Sequence, residues 1–121
     1  MKKLFYLSNC STCKRIIKGW DLPQEVILKD IKTQPLNLSD LKKLHQRSGS
    51  YQALFSRRAK LFHERQLGAE DLDESRYKAL LLEHYTFLKR PVLIWEDEIY
   101  IGSSKATIEQ AYKTLHPGDW F

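Results

Sequence analysis

Cysteine is scarce in this chain: only two of its 121 residues are cysteines, Cys10 and Cys13. A secreted disulfide scaffold would need more of them. A chain of this length, with 42% hydrophobic side chains, can also bury a core of its own without disulfide or metal staples. The two thiols are therefore not expected to be scaffolding.

Long apolar runs are absent as well. No segment approaches the ~20 consecutive apolar residues of a membrane span. The opening MKKLFYLSN has an apolar stretch only from Leu4 to Leu7, too short for a signal-peptide core. We therefore expect no membrane association and a cytoplasmic location. There a vicinal thiol pair stays mainly reduced, and it is more often catalytic, redox-sensing or metal-binding than structural.

A strong charge imbalance is also missing, since 20 basic and 15 acidic side chains give a formal charge of +5. The excess is local, because five basic residues precede the first acid, Asp21: Lys2, Lys3, Lys14, Arg15 and Lys18. A modest excess around two cysteines indicates an anionic ligand or an acidic partner surface. Direct nucleic-acid binding is not expected.

The first third of the chain has the pattern of a β-α-β unit. Residues 3–7 (KLFYL) and 25–31 (EVILKDI) read as strands, and residues 13–20 have the apolar spacing of a helix that Gly19 and Pro23 end. Such units are normally right-handed with parallel strands. The loop before the helix then lies at the carboxyl end of the first strand, where open α/β sheets bind ligands.

The middle of the chain is predicted to be helical. A helix carrying Leu38, Leu41 and Leu44 has Asn37 as N-cap with Asp40 three residues on. Shorter helical pieces are predicted at residues 51–55 and 59–67. Asp71 and Glu74 are predicted to open a further helix, which carries Leu72, Ala79, Leu80, Leu82 and Leu88.

The last part of the chain returns to strands. Residues 91–95 (PVLIW) and 99–101 (IYI) predict a hairpin around the acidic turn EDE, and a final helix capped by Ser103 or Ser104 runs to Leu115. The pattern β-α-β, helices, β-β-α predicts an α/β fold with a four-stranded mixed sheet, forming a single domain over residues 1–121.

The position of the two thiols suggests a division of labour. Cys10 lies at or just before a helix N-terminus, where unpaired N–H groups and the helix dipole stabilise a thiolate. Cys13, about one turn later, could resolve a sulfenate or mixed disulfide on Cys10. Two alternatives remain for the cysteines. They could be small core residues, although their polar neighbours indicate an exposed loop. They could also be half of a zinc site, although the sequence has no second pair of ligands with suitable spacing. No metal is expected.

Two basic segments complete the candidate site. SRRAK (residues 56–60) and KRP (residues 89–91) each place arginine where a loop meets an element, and arginine binds oxyanions bidentately. Solvated surface charge is the alternative for these arginines. For Pro91 the alternative is an ordinary proline at the edge of a strand.

Several features of the sequence occur together: CSTC at the head of the first helix, the helical middle, SRRAKLF, LKRPVLI and the hairpin ending YIG. In this combination the sequence resembles the arsenate reductase (ArsC) family with its Spx-type redox regulators. The resemblance implies a thioredoxin-like fold with a helical insertion between the second and third strands, at about residues 37–88. It implies that Cys10 is the redox cysteine and Pro91 a cis-proline facing it. Arg90 would bind an oxyanion, as would Arg58 within S-x-R-x-K, with Arg57 its close competitor.

At two positions the sequence differs from typical arsenate reductases of this family. Glutaredoxin-coupled arsenate reductases typically have a C-x-x-S type loop and a further arginine on the last hairpin, whereas Cys13 fills the fourth position here and IYIGSS has no arginine. Arsenate is therefore not expected to be the physiological substrate. Spx-type regulators share CxxC and a matching arginine, and they act by binding the RNA polymerase α-subunit.

Three functional classes follow. The first is a thiol-dependent reductase of a small oxyanion or thiol substrate, with no bound cofactor and with glutathione, glutaredoxin or thioredoxin as electron donor. The second is a redox-sensing regulator that binds RNA polymerase, and the third is a non-redox binding module. We expect the first, with the second as the main alternative.

Overall fold

The computed structural model describes residues 1–118, which form two compact units. The sheet unit comprises Met1–Lys32 and residues 90–118, and the helical unit comprises Thr33–Lys89. The predicted insertion at about residues 37–88 falls within the helical unit. That residues 1–121 form a single domain stays a prediction.

The sheet unit is built on four strands: β1 (Lys2–Tyr6), β2 (Ile27–Asp30), β3 (Val92–Trp95) and β4 (Glu98–Ile101). Their order is β2-β1-β3-β4. Strand β1 runs parallel to β2 and antiparallel to β3, and β3 and β4 form an antiparallel hairpin. The four-stranded mixed sheet predicted from the sequence is therefore confirmed.

Helices α1 (Ser11–Trp20) and α6 (Lys105–Leu115) contribute to one core of the sheet unit. That core contains Leu4, Ile16, Trp20, Val26, Leu93, Ala111 and Leu115. The indole Nε1 of Trp20 donates a hydrogen bond to the carbonyl oxygen of Ile108 at 3.1 Å, and the His116 ring bonds the Trp20 carbonyl oxygen. These bonds join the carboxyl end of α1 to α6.

The element boundaries in the sheet unit differ from the predicted ones by a few residues. Strand β2 covers Ile27–Asp30 rather than residues 25–31, and β1 covers Lys2–Tyr6 rather than residues 3–7. Helix α1 begins at Ser11, two residues before the predicted start, because Cys10 is its N-cap. On the edge strand β2 the side chains of Ile27 and Leu28 are 60% and 50% exposed.

The helical unit contains α2 (Leu38–Ser48), α3 (Tyr51–Leu54), α4 (Lys60–Glu64) and α5 (Glu74–Glu83). Helix α2 begins with a capping box: the Asn37 side chain accepts from the Asp40 N–H at 2.8 Å, and the Asp40 carboxylate accepts from the Asn37 N–H at 3.4 Å. The predicted cap is therefore confirmed.

Two other helices of this unit are shorter than predicted. The helix predicted for residues 59–67 is only Lys60–Glu64, because Gln66 adopts a left-handed conformation before a 3₁₀ turn at Leu67–Ala69. The helix predicted to open at Asp71 starts instead after Asp73, whose side chain accepts from the Arg76 N–H. It ends at Glu83 with His84 as its C-cap, so Leu72 and Leu88 lie outside it, and a 3₁₀ turn follows at Tyr85–Phe87.

The last helix begins after Ser104 and not after Ser103, because the Ser104 Oγ accepts from the Thr107 N–H at 3.2 Å. Across residues 1–118, none of the helices has the length and apolar content to span a membrane.

Trp20 should be the main anchor of α1. We expect Trp20→Phe to lower the free energy of unfolding by about 1–2 kcal/mol, because the donor to Ile108 is lost and the smaller ring fills the core less well. Urea denaturation followed by circular dichroism measures this. Trp95→Phe is the matched control: Trp95 is half-buried, so its loss should be smaller. Equal losses would contradict the anchoring role.

Candidate functional site

The candidate site starts at the turn between β1 and α1. The Cys10 N–H donates to the Leu7 carbonyl oxygen at 3.1 Å, so residues 7–10 form a tight turn with Ser8 and Asn9 at its centre. Cys10 is extended, with φ −101° and ψ 115°, and its carbonyl oxygen accepts the first helical bond, from the Lys14 N–H at 3.1 Å. The chain thus presents Cys10 at the N-cap of α1.

Cys10 is half-buried, and its sulfur faces several donors. Partial burial by itself would raise the pKa of Cys10. The N–H of Cys13, the thiol of Cys13, the N–H of Thr12 and the positive charge of Arg90 act against burial, and together they lower the pKa of Cys10 below its ordinary value. The Cys10 side chain makes no capping hydrogen bond in the structure. These donors therefore favour the thiolate.

Cys13 is fully buried, with 0% of its surface exposed. The expectation that both cysteines lie in an exposed loop is therefore wrong for Cys13, which lies on the buried face of α1 three residues before Ile16. Burial is the main cause that raises the pKa of Cys13 to about 11. The hydrogen bond of the Leu7 backbone and the charge of Arg90 oppose this rise, whereas the charge and the hydrogen bond of Cys10 add to it. Cys13 is thus the proton donor of the pair.

Arg90 and Pro91 lead into β3. The peptide bond between them is cis, and Pro91 is buried with its carbonyl oxygen accepting from the Gly102 N–H at 2.9 Å. Arg90 is half-buried with a buried Nε, and its charge acts on both cysteines. Cys10, Cys13, Arg90 and Pro91 therefore all belong to the sheet unit.

Arg57 and Arg58 belong to the helical unit and differ in their surroundings. The Arg57 Nη2 donates to the Tyr77 hydroxyl at 2.7 Å, and its guanidinium lies 5.5 Å from the centre of the Phe62 ring. Arg58 is exposed, and no hydrogen bond or ion pair within residues 1–118 is found for it. Both arginines are exposed, and they differ in that the Arg57 guanidinium contacts Tyr77 and Phe62.

One contact at this site was missed by the sequence analysis. The Asp30 Oδ1, at the end of β2, lies 3.4 Å from the Ser8 nitrogen and 3.2 Å from the Lys32 nitrogen. The signal was available, because parallel strands bring their carboxyl ends to one edge of the sheet. As for metals, the residues that the structure describes contain no cluster of three or more His, Cys, Asp or Glu side chains that could hold an ion.

Comparison with known proteins identifies the family. The sequence matches the ArsC family over residues 5–111. The chain belongs to the ArsC family. Among curated proteins it is 24% identical over 110 residues to the global transcriptional regulator Spx 2 of Bacillus cereus, covering 88% of this chain and 83% of that relative.

Solved structures of ArsC-type proteins show the same fold. An arsenate reductase from Vibrio cholerae superposes with a TM-score of 0.72 at 18% identity, covering 94% of this chain and 97% of that one. A putative ArsC family related protein from Bacteroides fragilis also gives 0.72, at 19% identity over 91% and 97% of the two chains. The predicted α/β, thioredoxin-like class is therefore confirmed for this ArsC-family chain.

The two thiols should titrate far apart. We expect the rate of iodoacetamide alkylation of Cys10 to reach half its maximum below pH 8.5, the ordinary midpoint of a cysteine being about 8.5. Cys13 should stay unlabelled below about pH 10, since its pKa is about 11. Peptide mass spectrometry assigns the label. Cys13→Ala should raise the Cys10 midpoint because the thiol donor is lost, and Cys13→Ser, which keeps a donor, should raise it less. Faster labelling of Cys13 would contradict the assignment.

Arg90 should contribute charge to the same titration. We expect Arg90→Gln to raise the Cys10 midpoint by about half a pH unit, roughly a threefold loss of thiolate at pH 6. Lys89→Gln is the matched control, because Lys89 is an adjacent cation with an exposed side chain, and it should leave the midpoint nearly unchanged. Equal shifts in the two variants would mean that Arg90 contributes only through net charge.

Proposed function

We propose that this chain is a thiol-dependent oxidoreductase of the arsenate reductase-like type, with Cys10 as its nucleophile. The observation that supports it is the environment of Cys10: a partly accessible sulfur at a helix N-cap, faced by two N–H groups, a thiol donor and the charge of Arg90. A thiolate is the reactive form of cysteine, and these contacts favour it.

The proposed reaction has two steps. The Cys10 thiolate attacks a sulfur of an oxidised thiol substrate, the S–S bond of that substrate breaks, and one half leaves as a thiolate while the other stays bound to Cys10. Cys13 then loses its proton and attacks the Cys10 sulfur, which releases the second thiolate and forms the Cys10–Cys13 disulfide. The substrate has gained two electrons, and the pair has lost two.

The order of these steps follows from the pKa of Cys13. Part of the rise in that pKa comes from the charge of Cys10 and from its hydrogen bond. Both vanish once Cys10 is joined to substrate, so the pKa of Cys13 falls when a resolving thiolate is needed. Before that step, Cys13 serves as a donor to Cys10.

Arginine provides the proposed anion contacts. Arg90, whose charge acts on Cys10, is proposed to hold an oxyanion or a glutathione carboxylate next to the sulfur. Within the helical unit, Arg58 is proposed as an anion-binding arginine in preference to Arg57, whose guanidinium already contacts Tyr77 and Phe62. Glutathione with glutaredoxin, or thioredoxin, is proposed to reduce the disulfide again in the cytoplasm.

A second candidate function rests on the curated relatives. Several proteins of 23–26% identity are named global transcriptional regulators Spx. In a regulator of that kind the Cys10–Cys13 bond would change affinity for a partner, with the RNA polymerase α-subunit as the candidate. Such a switch needs different affinities in the two redox states, since a partner that binds both equally shifts nothing.

Turnover tests the first function. We expect the reduced chain to reduce a mixed disulfide of glutathione, and arsenate only slowly because the last hairpin has no arginine. Cys10→Ser should abolish turnover, whereas Cys13→Ser should recover it with added thiol. NADPH oxidation coupled through glutathione reductase measures the rate. Ser11→Ala, an exposed neighbour, is the control and should keep full activity.

The opposite outcome supports the regulator. In that outcome the chain turns over none of these substrates, and its affinity for the RNA polymerase α-subunit changes at least tenfold on oxidation. That factor corresponds to about 1.4 kcal/mol. Cys10→Ser should then bind equally under reducing and oxidising conditions.

A further inference from the structure

The turn that carries Cys10 contacts the neighbouring strand through the carboxylate of Asp30. Residues Tyr6 and Asp30 are paired in the β1–β2 register, and the Ile31 N–H donates to the Tyr6 carbonyl oxygen at 3.0 Å. Asp30 therefore lies beside the point where the chain leaves β1 for the turn. Its Oδ1 accepts from the N–H of Ser8, the second residue of that turn.

The contact is a charged one. Hydrogen bonding by the Ser8 side chain, aided by the N–H groups of Lys32 and Ser8 and the charge of Lys32, holds the pKa of Asp30 below its ordinary value despite slight burial. Asp30 is thus a carboxylate throughout the range in which a thiol titrates. Hydrogen bonds to an ionised acceptor are stronger than neutral ones.

The same turn ends at Cys10. Its closing bond runs from the Cys10 N–H to the Leu7 carbonyl oxygen, and the Leu7 backbone also contacts the Cys13 sulfur. A shift of Ser8 would therefore move Leu7 and Cys10, and it would change how the Cys10 sulfur meets its donors on α1 and the Arg90 charge. A lost contact of this kind costs reactivity even where the fold survives.

We propose that Asp30 is a positioning residue for Cys10, which acts by holding Ser8 and with it the turn of residues 7–10. The proposal rests on the proposed function only in taking Cys10 as the reacting group. Asp30 itself takes no part in the chemistry.

The test is the pH–rate profile of Cys10 alkylation by iodoacetamide, with melting temperatures recorded alongside. We expect Asp30→Ala to raise the midpoint by about half a pH unit, roughly a threefold loss of thiolate below the midpoint. Ser8→Ala, which keeps the N–H bond but loses the hydroxyl, should shift it in the same direction by less. Asp30→Asn, whose amide oxygen still accepts, should recover part of the shift. Asp97→Asn, an exposed acid of the hairpin turn, is the charge control and should change nothing.

Two outcomes overturn the proposal. One is a set of profiles that all coincide with that of the unaltered chain. The other is a lower midpoint in both Asp30 variants with Ser8→Ala unchanged, because Asp30 would then act on Cys10 through its negative charge alone. If Asp30→Ala fails to fold, Ser8→Ala decides by itself. Alkylation does not require turnover, so a missing reductase activity would contradict the proposed function and leave this result intact.

Discussion

The apolar stripe of α1 is the constraint on which the site depends. Cys13, Ile16 and Trp20 are buried on one face of this helix, at intervals of three and four residues that a helix places in line. Because that face is directed into the core, Cys13 is buried along with it. Cys10, one turn earlier, then falls at the helix N-cap. The packing of one helix face thus gives the two cysteines opposite properties. Cys10 is partly accessible and favours the thiolate, whereas Cys13 is buried and donates a proton.

Much of this arrangement could be read from the sequence. The β-α-β opening, the acidic hairpin and the capping box at Asn37 depend on local patterns, and the structure has all three. Helix ends were less predictable, because the stop at His84 depends on its side chain bonding the Thr86 N–H. The burial of Cys13 was also readable, since its spacing to Ile16 and Trp20 continues the apolar stripe. The polar residues around Cys13 were a poor guide to its exposure, because they lie on the other faces of the helix.

Contacts between distant residues were beyond the reach of pattern reading. Arg57 and Arg58 are neighbours in the sequence, and contacts of Arg57 with Tyr77, 20 residues away, and with Phe62 distinguish them in the structure. The contact between Ser8 and Asp30 spans 22 residues and depends on which strand lies beside β1. Sequence patterns predict which elements form, whereas such contacts depend on how the elements are arranged, so they required the structure.

The opposed pKa shifts of the two cysteines set how the electrochemistry of the pair would respond to acidity. Between the lowered pKa of Cys10 and the value of about 11 for Cys13, the reduced pair holds one proton and one negative charge. Oxidation to a disulfide in that range releases two electrons and a single proton. The midpoint potential would then fall by about 30 mV per pH unit, half the slope of about 59 mV shown by a pair that releases two protons. Within that pH range, the midpoint potential of this pair depends less on pH than that of an ordinary dithiol.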